Sequence, residues 1–104
     1  MLVRIVKMTF QEDKVATFLD IFQESQFKIR AFEGCQHLEL LQDVSQKHIF
    51  YTYSHWQSEA HLEQYRHSEL FTEVWARTKA LFAQKAQASS MYRHIEVLPD
   101  GTSA

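Results

Sequence analysis

Residue types that cross-link or interrupt a chain are scarce in this sequence. It has one cysteine, one proline and two glycines in 104 residues. Because Cys35 stands alone, an intrachain disulfide is excluded. No apolar run approaches the roughly 20 residues that cross a bilayer, so a membrane-spanning protein is not expected. The opening MLVRIVKMTF lacks an apolar core followed by a small-residue cleavage site, and we therefore expect a reducing, cytoplasmic setting.

An excess of charge of one sign is also lacking. The chain has 11 basic and 13 acidic side chains, for a net charge of -2. This balance provides no attractive field for a phosphate backbone or an anionic membrane, so we expect neither nucleic acid nor membrane as a partner. By contrast, 45% of the residues are hydrophobic, enough for the one core of a single domain. We expect this domain to span 1–98, with a flexible tail at 99–104.

The first third of the chain predicts a strand followed by a long helix. Apolar residues occupy both faces of the segment 2–9, which indicates a strand that is partly buried on both sides. Thr9 and Glu12 have the spacing of a capping box, which predicts an amphipathic helix from about Phe10 towards Phe32. Gly34 then fits the left-handed residue that ends such a helix.

The remainder predicts a hairpin, two short helices and a last strand. Alternating residues in 36–42 and 47–56 favour two strands that pair. Ser58 is suited to cap a helix through Tyr65, and Ser68 to cap a second one whose apolar positions continue to Phe82. Residues 90–98 alternate again and predict the final strand.

The resulting order, β-α-β-β-α-β, predicts an α+β fold of the ferredoxin-like split βαβ type. In this fold, both helical regions pack on one face of a four-stranded antiparallel sheet. The other face of this sheet would still carry bulky apolar and aromatic side chains, more than a monomer usually exposes. We therefore expect a homodimer formed through the sheet face by a two-fold contact.

Four segments together resemble a known family: VRIVKMTF, FEGCQHLELLQD, the strand end His55-Trp56, and SEAHLEQYRHSELF. The chain resembles the antibiotic biosynthesis monooxygenase domain family, the dimeric α/β-barrel proteins, over most of 1–98. The resemblance implies a pocket between the sheet and the helices of each protomer. Some members of that family oxidise quinol-like aromatics with oxygen and no metal or flavin, others degrade haem, and others have no established activity.

Residues that the resemblance would place in the site are only partly matched. Many members have a histidine three residues before the serine that precedes the last helix, and Tyr65 holds that place here. Haem-degrading members use an asparagine, a tryptophan and a histidine at places that align near Val6, Tyr65 and Trp75. None of these identities is kept, which argues against axial ligation of haem iron.

Oxygenation without a cofactor requires an electron-rich substrate that is deprotonated in a dry cavity. Tyr65 and His55 are the predicted catalytic residues, with His55 as a possible base. The predicted substrate-binding residues are aromatic or imidazole side chains on the second hairpin strand and on the helices expected to cover it: Tyr51, Tyr53, His61 and Trp75. Each also has a plainer interpretation, as core packing for the aromatic residues and as a surface or capping group for the histidines.

Neither a metal site nor a cofactor is predicted. The six histidines include no His-x-x-x-His pair, and Cys35 has no neighbouring thiol or histidine, so it is best interpreted as a small buried residue. The leading hypothesis is a monooxygenase that acts on a small hydrophobic or aromatic metabolite. The alternatives are a non-catalytic ligand-binding or stress-associated dimer and, third, haem binding or degradation.

Overall fold

The computed structural model describes all residues, Met1–Ala104. Its four strands and three helices have the following bounds: β1 Leu2–Phe10, α1 Val15–Arg30, β2 Cys35–Gln42, β3 Ile49–Trp56, α2 Glu59–Arg66, α3 Glu69–Lys79 and β4 Phe82–Tyr92. The strands form one antiparallel sheet in the order β2-β3-β1-β4. The predicted α+β, ferredoxin-like arrangement is confirmed, with α2 and α3 together in the place of the second helix. None of the helices is long and apolar enough to cross a membrane.

The register between β1 and β3 decides which side chains face the helices. Leu2 lies opposite Trp56 and Met8 lies opposite Phe50, and all four side chains are buried. Directly opposed residues of an antiparallel pair share a face, and successive residues alternate between faces. The even-numbered residues of both strands therefore face the helices, and the odd-numbered residues face away.

Serine caps and a glycine turn set the ends of the helices largely as predicted. The Ser58 hydroxyl accepts a hydrogen bond from the backbone N–H of His61, and the Ser68 hydroxyl accepts one from Phe71. Each cap satisfies a backbone donor that the first helical turn leaves free. Gly34 has a left-handed φ of +88°, although it lies in the turn before β2 rather than directly at the end of α1.

The beginning of α1 differs from the prediction. Thr9 and Phe10 belong to β1, and Thr9 makes no capping hydrogen bond; a short 3-10 turn at Glu12–Lys14 precedes the helix. The capping-box interpretation is therefore wrong. Phe10 is fully buried and its N–H donates to the carbonyl of His48, so tertiary contacts extend the strand past the local helix signal.

The last strand also begins earlier than predicted. α3 ends at Lys79, and β4 runs over Phe82–Tyr92 instead of 90–98. The sequence FAQKAQASSMY has three alanines and two glutamines, which favour helix locally, but pairing with the open edge of β1 outweighs that preference. Beyond β4, Glu96 and Ala104 exchange backbone hydrogen bonds, so residues 96–104 form a small turn. The mobility expected for 99–104 stays a prediction.

Two separate clusters of buried side chains form the core. One lies near the start of β1 and contains Leu2, Cys35, Trp56 and Leu62; the other lies at the far end and contains Met8, Phe10, Phe18 and Phe50. In the second cluster, the rings of Phe10 and Phe18 stack with their centroids 4.1 Å apart. Only 15 of 104 residues are buried, and the middle of the sheet, between the clusters, is left less filled.

Candidate functional site

A cavity of about 270 Å³ lies between the two core clusters, enclosed by the sheet on one side and the helices on the other. Fifteen of the 21 residues that line it are hydrophobic. On the sheet side the middle of β3 contributes Thr52 and Ser54, and β4 contributes Ala86 and Ala88. These small side chains leave the space open, and its size suits a small organic molecule. The cavity opens at β4, where Ala88 is solvent-exposed.

Aromatic rings form the helix side of the cavity and one end of it. Tyr65 of α2 stacks on Trp56 with ring centroids 4.9 Å apart and contacts Phe71 edge-on at 5.2 Å. Phe71 in turn stacks on Trp75 at 5.7 Å, with the rings within 11° of parallel. The chain of four rings presents both faces and edges to the cavity, an arrangement that suits an aromatic ligand.

Tyr65 is the one ring of this group that carries a hydroxyl, and it is among the residues that line the cavity. Burial, and to a lesser extent the nearby Cys35 thiol, raise the pKa of Tyr65 well above that of an ordinary tyrosine. The phenol is therefore neutral at physiological pH and can donate a hydrogen bond, but it is a poor base. The prediction that Tyr65 lies in the pocket agrees with the structure; its catalytic role stays a prediction.

Two guanidinium groups also line the cavity, those of Arg4 on β1 and Arg66 on α2. Arg4 Nη1 donates to Ser90 Oγ at 2.9 Å, whereas Arg66 Nη1 forms an ion pair with Glu63 at 2.8 Å. Burial and the positive charge of Arg66 lower the pKa of Arg4, which Glu63 only partly offsets. A guanidinium stays protonated at any physiological pH, so this is a region of positive charge in an apolar cavity.

Three of the predicted site residues lie on the opposite face of the sheet. Tyr51, Tyr53 and His55 are odd-numbered residues of β3 and point away from the helices, so the interpretation that they share a cavity with Tyr65 and Trp75 is wrong. The physical reason is the two-residue alternation of the strand: once Phe50 and Trp56 are buried beneath the helices, their odd-numbered neighbours must face outward. Trp75, by contrast, lines the cavity as expected.

His61 is also outside the cavity. Its Nδ1 lies 2.7 Å from the Ser58 hydroxyl, and its side chain is packed so closely over Gly34 that a Cβ at that position would collide with it. The histidine therefore joins the first turn of α2 to the turn before β2. This structural contact accounts for its position without a ligand.

Sequence reasoning missed the two arginines, although one signal was present. Arg4 shares the apolar face of β1 with Leu2, Val6 and Met8, and a charged residue on such a face is unusual unless it has a partner or a function. Arg66 gave no comparable signal, because it follows Tyr65 on a helix that also has an exposed polar face. Its place beside the cavity depends on how α2 packs.

The outward face of the sheet has its own cluster of imidazole and phenol rings. His37 of β2 lies with its ring centroid 4.9 Å from that of His55, and Tyr53 contacts His55 at 5.1 Å. The Glu39 carboxylate lies 3.3 Å from His37 Nε2, within ion-pair distance, but the buried Nε2 of His55 has no hydrogen-bond partner. Burial and the neighbouring His37 lower the pKa of His55, which favours its neutral form.

Haem ligation does not fit the residues that line the cavity. Val6, Tyr65 and Trp75, the three positions that the resemblance aligned with haem-contacting residues, all border it. Valine has no donor atom, the indole N–H has no free lone pair, and the raised pKa of Tyr65 opposes a tyrosinate. No group of three or more metal-ligating side chains occurs in the chain, and burial raises the pKa of the Cys35 thiol.

Comparisons with known proteins agree with this fold. The model of the family described as "antibiotic biosynthesis monooxygenase" matches residues 1–77. A crystal structure of an antibiotic biosynthesis monooxygenase is similar with a TM-score of 0.85 and 22% identity, covering 89% of this chain and 98% of that one. A Pseudomonas aeruginosa protein is 26% identical with a TM-score of 0.78, covering 88% of this chain and 92% of its own.

A conserved protein from Methanosarcina mazei has a TM-score of 0.82 and 20% identity, covering 88% of this chain and 91% of its own. No curated protein matches the chain. The structural relatives under a quarter identical establish the fold alone, but the family model spans most of the chain. The resemblance found in the sequence is confirmed, and the chain belongs to the antibiotic biosynthesis monooxygenase family.

Proposed function

We propose that this protein is a cofactor-independent monooxygenase that oxidises a small aromatic, quinol-type metabolite in the cavity between the sheet and the helices. The observation that carries the proposal is the composition of the cavity: stacked aromatic rings, a neutral Tyr65 hydroxyl and an Arg4 guanidinium without an acidic partner, within about 270 Å³. A single aromatic ring system with a few polar substituents matches this volume and these groups.

The chemistry requires only the substrate and oxygen. A quinol that loses a proton becomes a phenolate, which passes one electron to O₂ and leaves a phenoxyl radical and superoxide. Their combination at a ring carbon forms a peroxide, and loss of water from it leaves a quinone carbonyl. One oxygen atom enters the product, the other leaves in water, and the substrate supplies all the electrons.

The lining side chains support the first step through electrostatics rather than through a base. Histidine and carboxylate side chains are absent from the lining, so the proton leaves to water at the open side. A nearby guanidinium stabilises the phenolate and lowers the pKa of the bound phenol. The Tyr65 hydroxyl then donates a hydrogen bond to a substrate oxygen, and the apolar rings exclude water from the radical pair.

Oxygen consumption with a panel of hydroquinones tests the proposal. We expect the protein to raise the rate above the uncatalysed one, and Tyr65→Phe to lower it by roughly threefold to tenfold, the range for one lost neutral hydrogen bond. Tyr92→Phe is the matched control, because Tyr92 is exposed and lies outside the cavity. Thermal melts verify that both variants are folded. A panel in which uptake never exceeds the uncatalysed rate would remove the oxygenase assignment.

A non-catalytic ligand-binding protein is the second candidate, and one observation favours it: the lining offers no residue that accepts a proton at neutral pH. In that case the same aromatics would bind in the cavity, and calorimetry would detect them, without any oxygen uptake. Binding without consumption across the panel therefore selects the second candidate.

We also infer that two copies associate through the outward face of the sheet. Its apolar side chains come from all four strands: Val3, Ile5, Leu41, Tyr51, Tyr53 and Met91. Covering such a surface with its own copy satisfies both protomers at once. Sedimentation of the wild-type protein should give twice the mass of one chain. Tyr53→Asp should lower the sedimenting mass to that of one chain, whereas the control Tyr92→Asp should leave it at twice that mass. A folded wild-type protein that sediments as one chain in dilute buffer would contradict this inference.

A further inference from the structure

We propose that Arg4 and Arg66 form an anion subsite at the open side of the cavity, and that the ligand is an aromatic carboxylate whose ring lies against Tyr65 and Trp75. This inference rests on the proposed function only for the use of that ligand as a substrate. The subsite itself is a binding property that can be measured without turnover.

Arg4 has far more hydrogen-bonding capacity than the protein uses. Its guanidinium carries five N–H donors, and its one side-chain hydrogen bond goes to the neutral hydroxyl of Ser90. No carboxylate lies within ion-pair distance of it. A half-buried cation without a counter-charge is unfavourable in an apolar surrounding, and an anionic ligand would remove that penalty.

Arg66 adds a second positive group close enough to affect Arg4. The charge of Arg66 is the second cause, after burial, of the lowered pKa of Arg4, and Glu63 opposes it. Because Glu63 is paired with Arg66, these three side chains together retain a single net positive charge. A singly charged carboxylate matches it, and its two oxygens suit the parallel N–H donors of a guanidinium.

The location of the arginines also fits the rest of the ligand. Arg66 and Tyr65 both come from α2 and both line the cavity, so the positive group and the aromatic rings belong to the same site. Arg4 is held at the edge by Ser90 of β4, on the side where the cavity opens near Ala88. A ligand that enters past β4 would place its ring among the aromatic side chains and leave its carboxylate at the entrance.

A matched pair of ligands tests the subsite: a dihydroxybenzoate and the dihydroxybenzamide with the same ring substitution, which differ in charge. By calorimetry, we expect the wild-type protein to bind the benzoate roughly tenfold or more tightly than the benzamide, the range of a charge-assisted hydrogen bond. Arg4→Met should abolish this preference by weakening benzoate binding far more than benzamide binding, and Arg66→Gln should reduce the preference. Arg93→Met is the control, since Arg93 lies outside the cavity lining and its loss should preserve the preference.

Two results would overturn the proposal: equal affinity of the wild-type protein for both ligands, or a preference that persists in Arg4→Met. The wild-type comparison alone decides the question if Arg4→Met does not fold. Oxygen uptake separates this proposal from the oxygenase assignment. Benzoate preference without oxygen uptake supports the subsite and removes the monooxygenase, whereas rapid oxidation of hydroquinones by a protein with no benzoate preference supports the monooxygenase and removes the subsite.

Discussion

Replacement of Gly34 by alanine should destabilise the protein through two separate effects. The residue has a φ of +88°, where a side chain costs about 1–2 kcal/mol. A Cβ there would also collide with the His61 side chain, and such overpacking costs about 1–3 kcal/mol. We therefore expect Gly34→Ala to lower the free energy of unfolding by about 2–5 kcal/mol and the melting temperature by roughly 10 °C or more.

Gly101 supplies the matched control for this prediction. It has nearly the same φ, +86°, but no atom within 4 Å of the position of a Cβ, so Gly101→Ala should lose about 1–2 kcal/mol at most. Urea denaturation followed by tryptophan fluorescence is suitable, because Trp56 is 1% exposed. All variants must be compared at one protein concentration, since association shifts apparent stability.

A double-mutant cycle then isolates the contact between the two residues. In a His61→Gly background, which removes the colliding side chain, Gly34→Ala should cost only the backbone strain. The contact matters for the site because it holds the start of α2, and hence Tyr65 and Arg66, against the turn before β2. Equal losses for Gly34→Ala and Gly101→Ala in the wild-type background would refute the close-approach argument.

Three further predictions concern buried polar groups. Ser54→Ala removes the hydroxyl that accepts from the Trp56 indole at 3.0 Å and should lower the free energy of unfolding by about 1–3 kcal/mol in urea denaturation; no change would mean that water replaces the hydroxyl. Burial raises the pKa of Tyr65 above 10.0. The stability linked to its neutral form is therefore complete below about pH 10 and is lost as the pH rises through the pKa of the folded protein. Tyr65→Phe should reduce the fall of the melting temperature with pH in this alkaline range. Burial and His37 lower the pKa of His55 from 6.5. The stability linked to its neutral form is therefore complete above about pH 6.5 and is lost as the pH falls through the pKa of the folded protein. His55→Gln should reduce the fall of the melting temperature at acid pH, and an unchanged dependence on pH would contradict the lowered pKa.

Elements with strong local signals could be predicted from the sequence. Ser58 and Ser68 begin α2 and α3 as expected, because a serine cap acts within one turn. Two predicted helix ends are wrong, the start near Thr9 and the end near Phe82. At both places the strand β1 gains partners from distant parts of the chain. Such pairing is invisible to a local pattern, and the alanine-rich sequence of β4 even opposes it.

The orientation of β3 limited how much of the site could be predicted. Both of its faces carry large side chains, Tyr51 and Tyr53 on one and Phe50 and Trp56 on the other, so alternation alone does not reveal the buried face. Only the pairing of Trp56 with Leu2 settles it. Tyr65 and Trp75 could be found because helical periodicity points them towards the sheet whichever face the helices cover.

The cavity itself follows from where bulk is missing. Phe50 and Trp56 fill the two ends of β3, while Thr52 and Ser54 lie between them on the same face. A chain that maximised stability would carry larger apolar residues there, because each added buried methylene would raise the free energy of unfolding by about 0.8 kcal/mol. Small polar side chains in the centre of the sheet, beside an arginine with unused donors, therefore depart from the rules of packing. Departures of this kind are expected where a protein keeps space and charge for a ligand.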